Sequence, residues 1–169
     1  MEKVHLDGSE SAVALARRII DANAYVTLAT ADASGRPWAS PVWYAPHDYR
    51  ELLWVSRPQA RHSRNIAARP QVGLVIFDST VPPGTGQAVC ADAVAEELPD
   101  AERERAIAIY SRRSRAAGAS EWRPSEVSGE APARMYRARI EQMFVVDGDD
   151  RRVPVAGVTP PPAPPSTNA

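Results

Sequence analysis

The sequence has one cysteine, Cys90, and one lysine, Lys3, in 169 residues. A lone cysteine excludes a disulfide within the chain, and without a CxxC pair there is no thiolate zinc site. The three histidines, His5, His47 and His62, stand far apart with no ligand spacing, so no metal is expected. No apolar run reaches membrane-spanning length, and the N-terminus MEKVHLDGSESAVALARRII is too charged for a signal peptide. The expectation is a cytoplasmic protein that spans no membrane. GxGxxG, P-loop and nucleophile-elbow motifs are all missing, as is any internal repeat. Charge of one sign is missing too: 20 Lys plus Arg stand against 21 Asp plus Glu. Bulk electrostatics therefore favours neither nucleic acid nor an anionic membrane as partner.

From Pro154 onward the chain reads PVAGVTPPPAPPSTNA, with six prolines and no aromatic residue. Such a segment buries too little apolar surface to offset its ordering entropy. A domain over 1–153 and a Pro-rich disordered tail over 154–169 are expected. Within the domain, Asp7 with Glu10 three positions later reads as a capping box for a helix over 9–22, ended by Asn23. Tyr25 to Ala31 reads as a strand and Asp32-Ala33-Ser34-Gly35 as a turn. Trp38 to Ala45 is the second strand, where Pro41 implies a bulge or a sheet edge. Glu51 to Ser56 is the third, and a short helix over 59–68 stops before Pro70. The nearly all-apolar run Gln71 to Asp78 is expected to be a strand buried on both faces. A long strand over 87–98, a helix capped by Asp100, a loop over 118–132 containing Trp122, and a final strand over 134–147 complete the reading. About six strands joined by hairpins, with three helices, predict a mainly β (α+β) fold built on a closed or nearly closed antiparallel barrel.

Three segments carry polar chemistry that could converge in such a barrel. Ser40-Pro41-Val42-Trp43 contains a proline that frees nearby backbone groups. Val55-Ser56 leads into a helix start bearing Arg61, His62, Arg64 and Asn65, where free N–H groups and the helix dipole attract anions. Arg61 presents a planar fork suited to two phosphate oxygens. Gln87 opens the long strand with a donor and an acceptor suited to a heterocyclic ring edge. Taken singly these are ordinary features; composition alone favours a solvated helix face for Arg61 and Arg64, and core roles for Trp43 and Trp54. No residue qualifies as a catalytic acid or base.

The order of the segments changes this weighing. The stretches YVTLATADASGRPWASPVWY and LLWVSRPQARHSRNIAARPQVGLVIF resemble the family named for pyridoxamine 5′-phosphate oxidase, FMN-binding split β-barrels. The resemblance implies a six-stranded antiparallel split barrel with short flanking helices, and a homodimer with flavin in a cleft between subunits. In such proteins an Arg-Lys pair at the start of the short helix holds the FMN phosphate, and the matching pair here is Arg61-His62, with Arg64 as a further donor. It implies a flavin-ring contact for Gln87, and a cofactor-lining role for Ser40 to Trp43 and for Val55 and Ser56. Trp122 and Arg137 are candidate contributors from the partner chain. His62 stands where the family has lysine, and the founding enzyme's Arg-rich substrate motif has no match near the C-terminus. The resemblance therefore implies an FMN-dependent oxidoreductase acting on a small molecule, with a deazaflavin coenzyme or a non-catalytic flavin or haem binding role as alternatives.

Overall fold

Alternation of apolar and small polar residues along Tyr25–Ala31 puts Val26, Leu28 and Thr30 on one face, all buried, and leaves Tyr25 and Ala29 on the other. In the computed structural model of the chain, which describes residues 10–146 and 151–158, this strand (β1) pairs antiparallel with β2, Pro37–Trp43. The turn between them closes on Asp32, whose Oδ1 accepts from the backbone N–H of Ser34 and Arg36, with Gly35 at φ 88° where a side chain would be strained. β3 (Ala45–His47), β4 (Glu51–Ser56), β5 (Gln71–Phe77), β6 (Ala88–Glu97), β7 (Arg134–Val146) and β8 (Arg152–Pro154) follow. The sheet runs β2-β1-β5-β6-β7-β4-β3, with β8 added to the end of β7, and all its pairings are antiparallel. It curls into a split barrel. The described residues thus contain eight strands instead of six, because β3 and β8 are three residues each, too short for alternation to reveal.

Three α-helices flank the sheet. The first, α1, spans Ala12–Ala22 and not 9–22. Its N-cap is Ser11, whose Oγ accepts from the Ala14 N–H at 3.2 Å; Asp7, the expected cap, lies outside the described residues. Asn23 ends it, donating from Nδ2 to the Ile19 carbonyl. Leu15, Ala16, Ile19 and Ile20 form its buried stripe. Tyr44 Oη donates to the Ile20 carbonyl, and Arg113 from α3 (Asp100–Ala116) donates to the Ile20 and Asn23 carbonyls. A cation thus satisfies the open C-terminal end of α1. In α3, Pro99 occupies the N-cap position, so Asp100 is the first helical residue and not the cap; it ion-pairs with Arg103 one turn on. The loop over 118–132 includes a short 3-10 turn at Pro124–Val127.

The strand buried on both faces is β4 and not β5. Leu52, Leu53 and Trp54 are all at most 2% exposed, because α3 covers the outer side of β4. β5 alternates instead, with Val72, Leu74 and Ile76 inside while Phe77 is 49% exposed. Pro41 sits on β2, an edge strand, as a proline requires. At the C-terminal end, β8 pairs with β7, and Val155 is buried, its N–H donated to the Met143 carbonyl. The packed domain therefore continues past Pro154, because the chain doubles back along β7; residues 159–169 of the expected tail lie outside the described residues. No helix among the described residues is long and apolar enough to cross a membrane.

Candidate functional site

The curled sheet ends on one side in β2 and on the other in β4 and β3, and α2 (Arg61–Ala68) plugs the split between them. The helix begins at Arg61, two residues later than expected, because Pro58 and Gln59 form the turn that delivers it. Its underside is fixed by Asn65, a buried side chain whose Nδ2 donates to Thr30 Oγ1 on β1 at 2.9 Å. Thr30 Oγ1 in turn donates to the Trp38 carbonyl on β2. Asn65 therefore anchors the helix to the sheet and does not face the split.

His62 spans the split. Its Nε2 lies 2.8 Å from Ser56 Oγ on β4, and its Nδ1 lies 3.3 Å from Ser40 Oγ on β2. Trp38 Nε1 donates to the same Ser40 Oγ at 2.9 Å. Both ring nitrogens are thus engaged inside the chain. Because an indole N–H can only donate, Ser40 accepts there and can offer its own proton to His62 Nδ1, which leaves Nε2–H to donate to Ser56. Burial pushes the His62 imidazole below its ordinary value of 6.5, toward the neutral form.

A stability consequence follows with a definite sign. The unfolded chain takes up a proton at His62 near pH 6.5 while the native chain resists it, so the contribution is present above that pH. It is lost as pH falls from 6.5 through the depressed native value. Urea midpoints measured at pH 7.5 and pH 5 are expected to fall more for the wild type than for His62→Gln. An equal fall in both proteins would contradict the assignment.

Arg61 opens the helix and holds its guanidinium 4.3 Å from the Trp38 ring centroid. It is half-buried, not freely exposed as sequence reasoning assumes for an unliganded arginine. The N-cap residue Ala60 supplies no side-chain acceptor, so the first-turn N–H groups of α2 lack an internal cap. Arg64 Nη1 donates to the Gln59 carbonyl at 2.7 Å, which ties it to its own helix start. Arg61, His62, Ser40 and Ser56 therefore come together, with Arg64 on the exposed rim.

Other predicted residues fall elsewhere. Val42 is buried in the core, and Trp43 is packed edge-on against Tyr110 with centroids 4.8 Å apart. Val55 is half-buried beside Trp54, and Pro41 is exposed on the edge. Gln87 precedes β6, whose first residue pairs with Phe77, at the end of β5 opposite that facing Trp38; its Oε1 accepts from Arg18 of α1. One chain does not bring Gln87 to the split. Arg137 is buried among Glu51, Glu96 and Glu102, and the half-buried Trp122 packs on Tyr110. Trp38 and Thr30 are site residues the sequence reading missed. Trp38 lies two positions before Ser40, hence on the same strand face, and that spacing is the signal that could have found it.

Three comparisons with known proteins bear on this arrangement. The sequence pattern of the pyridoxamine 5′-phosphate oxidase family matches residues 13–147. Comparison with curated protein sequences finds no match. Among solved structures, the chain is similar to a haem binding protein from Mycobacterium smegmatis at 25% identity and a TM-score of 0.70, covering 86% of this chain and 58% of that one. It thus spans well under two thirds of that relative's length. It is similar to HutZ, the haem storage protein from Vibrio cholerae, at 24% identity and TM-score 0.61, covering 80% of this chain and 95% of that one. An FAD-binding protein from Mesorhizobium loti matches at 26% identity and TM-score 0.55, with 76% and 87% covered.

Proposed function

The chain belongs to the pyridoxamine 5′-phosphate oxidase family, and from that premise we propose that it is a flavoprotein that binds FMN at the split between β2 and β4. The observation that carries the reading is Arg61, held over Trp38 at the first turn of an α2 whose N-cap has no side-chain acceptor. A phosphate there meets a guanidinium fork and free backbone N–H groups together. His62 fits a different role from the one the family resemblance implies. With both nitrogens on serines, it positions Ser40 and Ser56 and leaves phosphate neutralisation to Arg61.

Bound flavin would supply electron or hydride transfer to a small-molecule substrate, and the protein's part is binding, orientation and electrostatics. Ser40 and Ser56 offer hydroxyls on the two lips of the split, and Trp38 gives an apolar surface. We place a second copy of the chain against the outer face of β2, β1 and β5. Tyr25, Ala29, Pro41, Gly73, Val75 and Phe77 share that face by strand register, with Tyr25 60% and Phe77 49% exposed. An outward sheet face this poor in charge suits an interface. A homodimer across it would also let Gln87 serve the partner's split.

The test is the absorbance spectrum and mass of whatever copurifies with the protein. A yellow protein with a flavin spectrum and the mass of FMN is expected, and a deazaflavin would differ in mass. A colourless protein that takes up no added flavin would overturn the reading. The second reading, haem binding, is favoured by the Mycobacterium smegmatis and Vibrio cholerae relatives, and a Soret band would establish it. Against it, both ring nitrogens of His62 and of His47 are already hydrogen-bonded in the chain.

A further inference from the structure

A cleft of about 550 Å³ lies away from the split, between the β3–β4 hairpin and α3. Its volume is that of a small-molecule site. Leu53, Leu98 and Ile109 give it an apolar wall, and a ring of charged side chains forms the rest. The hairpin that frames it is strained: Asp48 and Tyr49 both have left-handed φ, 52° and 55°, without a glycine. Tyr49 is held there by its hydroxyl on Asp21 and by Arg17 over its ring. Strain of this kind persists where neighbouring contacts enforce it, and it clusters at binding sites.

The charged groups divide into committed and uncommitted ones. Arg137, 7% exposed, takes up the carboxylates: Glu102 at 2.5 Å, Glu96 at 2.7 Å and Glu51 at 3.5 Å. That pairing holds the Glu102 carboxyl below its ordinary range. Glu51 also receives His47 Nδ1 at 3.0 Å. Arg105 Nη2 lies 3.1 Å from His47 Nε2, and a guanidinium can only donate. His47 therefore accepts at Nε2 and donates from Nδ1 to Glu51, as a neutral ring. Arg105 thus donates to a ring nitrogen, while its charge also acts on the Glu102 carboxylate. Among the described residues the exposed Arg50 has no side-chain hydrogen bond or ion pair, and the buried Nε of Arg137 has no acceptor. Asp48, the remaining acid at the mouth, is 3.4 Å from His47 Nε2 and largely exposed.

We propose that this cleft is a second ligand site, for a small organic anion with an apolar body. The carboxylate of such a ligand pairs with Arg50 and Arg105, drawing Arg105 off His47, while the apolar part lies along Leu53, Leu98 and Ile109. His47, released at Nε2, stays oriented by Glu51 through Nδ1, so the change at Nε2 reports the departure of Arg105. The site is independent of the flavin reading, since it sits at the Glu51 end of β4 and the split at the Ser56 end.

Octanoate is the probe, titrated into the full-length protein while the His47 ring signals are followed in long-range imidazole NMR spectra. One octanoate per chain is expected to saturate and to move the His47 Nε2 signal. The double variant Arg50→Ala/Arg105→Ala, both at exposed positions, is expected to bind at least about tenfold more weakly, since each charge-assisted hydrogen bond is worth that much or more. Arg105→Gln alone should weaken binding in the same direction and covers the case in which the double variant fails to fold. Arg61→Ala should bind octanoate as the wild type does, whatever its flavin affinity. Absence of saturable binding, equal binding by the arginine variants, or loss of binding in Arg61→Ala would each overturn the proposal. Inorganic phosphate moving the same signals as tightly as octanoate would overturn the apolar half of it.

Discussion

Replacing Arg61 with alanine is expected to weaken FMN binding by about 10- to 100-fold, read from the quenching of flavin fluorescence on titration. The estimate rests on the loss of one charge-assisted, bidentate contact to phosphate, with the helix N–H groups left in place. Arg61→Lys should fall between the two, because it restores charge without the planar fork. The effect on folding is expected to be small. The guanidinium stacks on Trp38 at 4.3 Å, but Trp38 is 41% exposed, and such a contact contributes about 0.5–1 kcal/mol. Identical titration curves for wild type and Arg61→Ala would remove Arg61 from the site.

The largest loss of stability is expected from Trp54→Ala, about 3–5 kcal/mol by urea denaturation followed in the far-UV. Trp54 is 1% exposed and stacks on Tyr136, its register partner in β7, at 5.8 Å and 16°. Truncation would open a large cavity between β4 and β7. Trp54→Phe provides the informative control. The indole Nε1–H of Trp54 is buried without an acceptor, so tryptophan carries a desolvation cost that phenylalanine does not. The phenylalanine variant is therefore expected to lose much less than the volume change alone suggests. If the two substitutions cost the same, the indole has a hydrogen-bonding partner in solution. Because β4 carries Ser56, Trp54→Ala should weaken FMN binding as well, and Trp54→Phe should not.

Which parts of this were legible in the sequence follows a physical division. β1 and its turn were readable because alternation and the Asp32 to Gly35 chemistry are local. The family and the split-barrel fold were readable from the order of strand, turn, basic helix and apolar strand, which the match over residues 13–147 supports independently. The burial of β4 was not, since it depends on α3, about fifty residues away in sequence, lying across its outer face. The same limit explains the β5 error: an apolar run buried on both faces and one with an exposed outer face look alike in one dimension. Ser11 displaced Asp7 as the helix cap because two capping residues stood four apart and only packing of the Leu15–Ile20 stripe chooses between them. The place of Arg61 in the first turn of α2 was legible from the basic run that precedes Pro70. The serine partners of His62 were not legible, because they lie 6 and 22 residues away and are brought to it by the curl of the sheet.

The pairing of β4 with β7 also sets a timetable for biosynthesis. Glu51–Ser56 acquires its long neighbour only when Arg134–Arg139 becomes available, some eighty residues later. On a ribosome, β1, β2 and α2 emerge well before that strand, so the lip bearing Ser56 lacks its main support until most of the chain is made. Cofactor capture by the nascent chain would then have to wait for the last long strand, and a product truncated ahead of Arg134 would carry Arg61 without a finished place to use it.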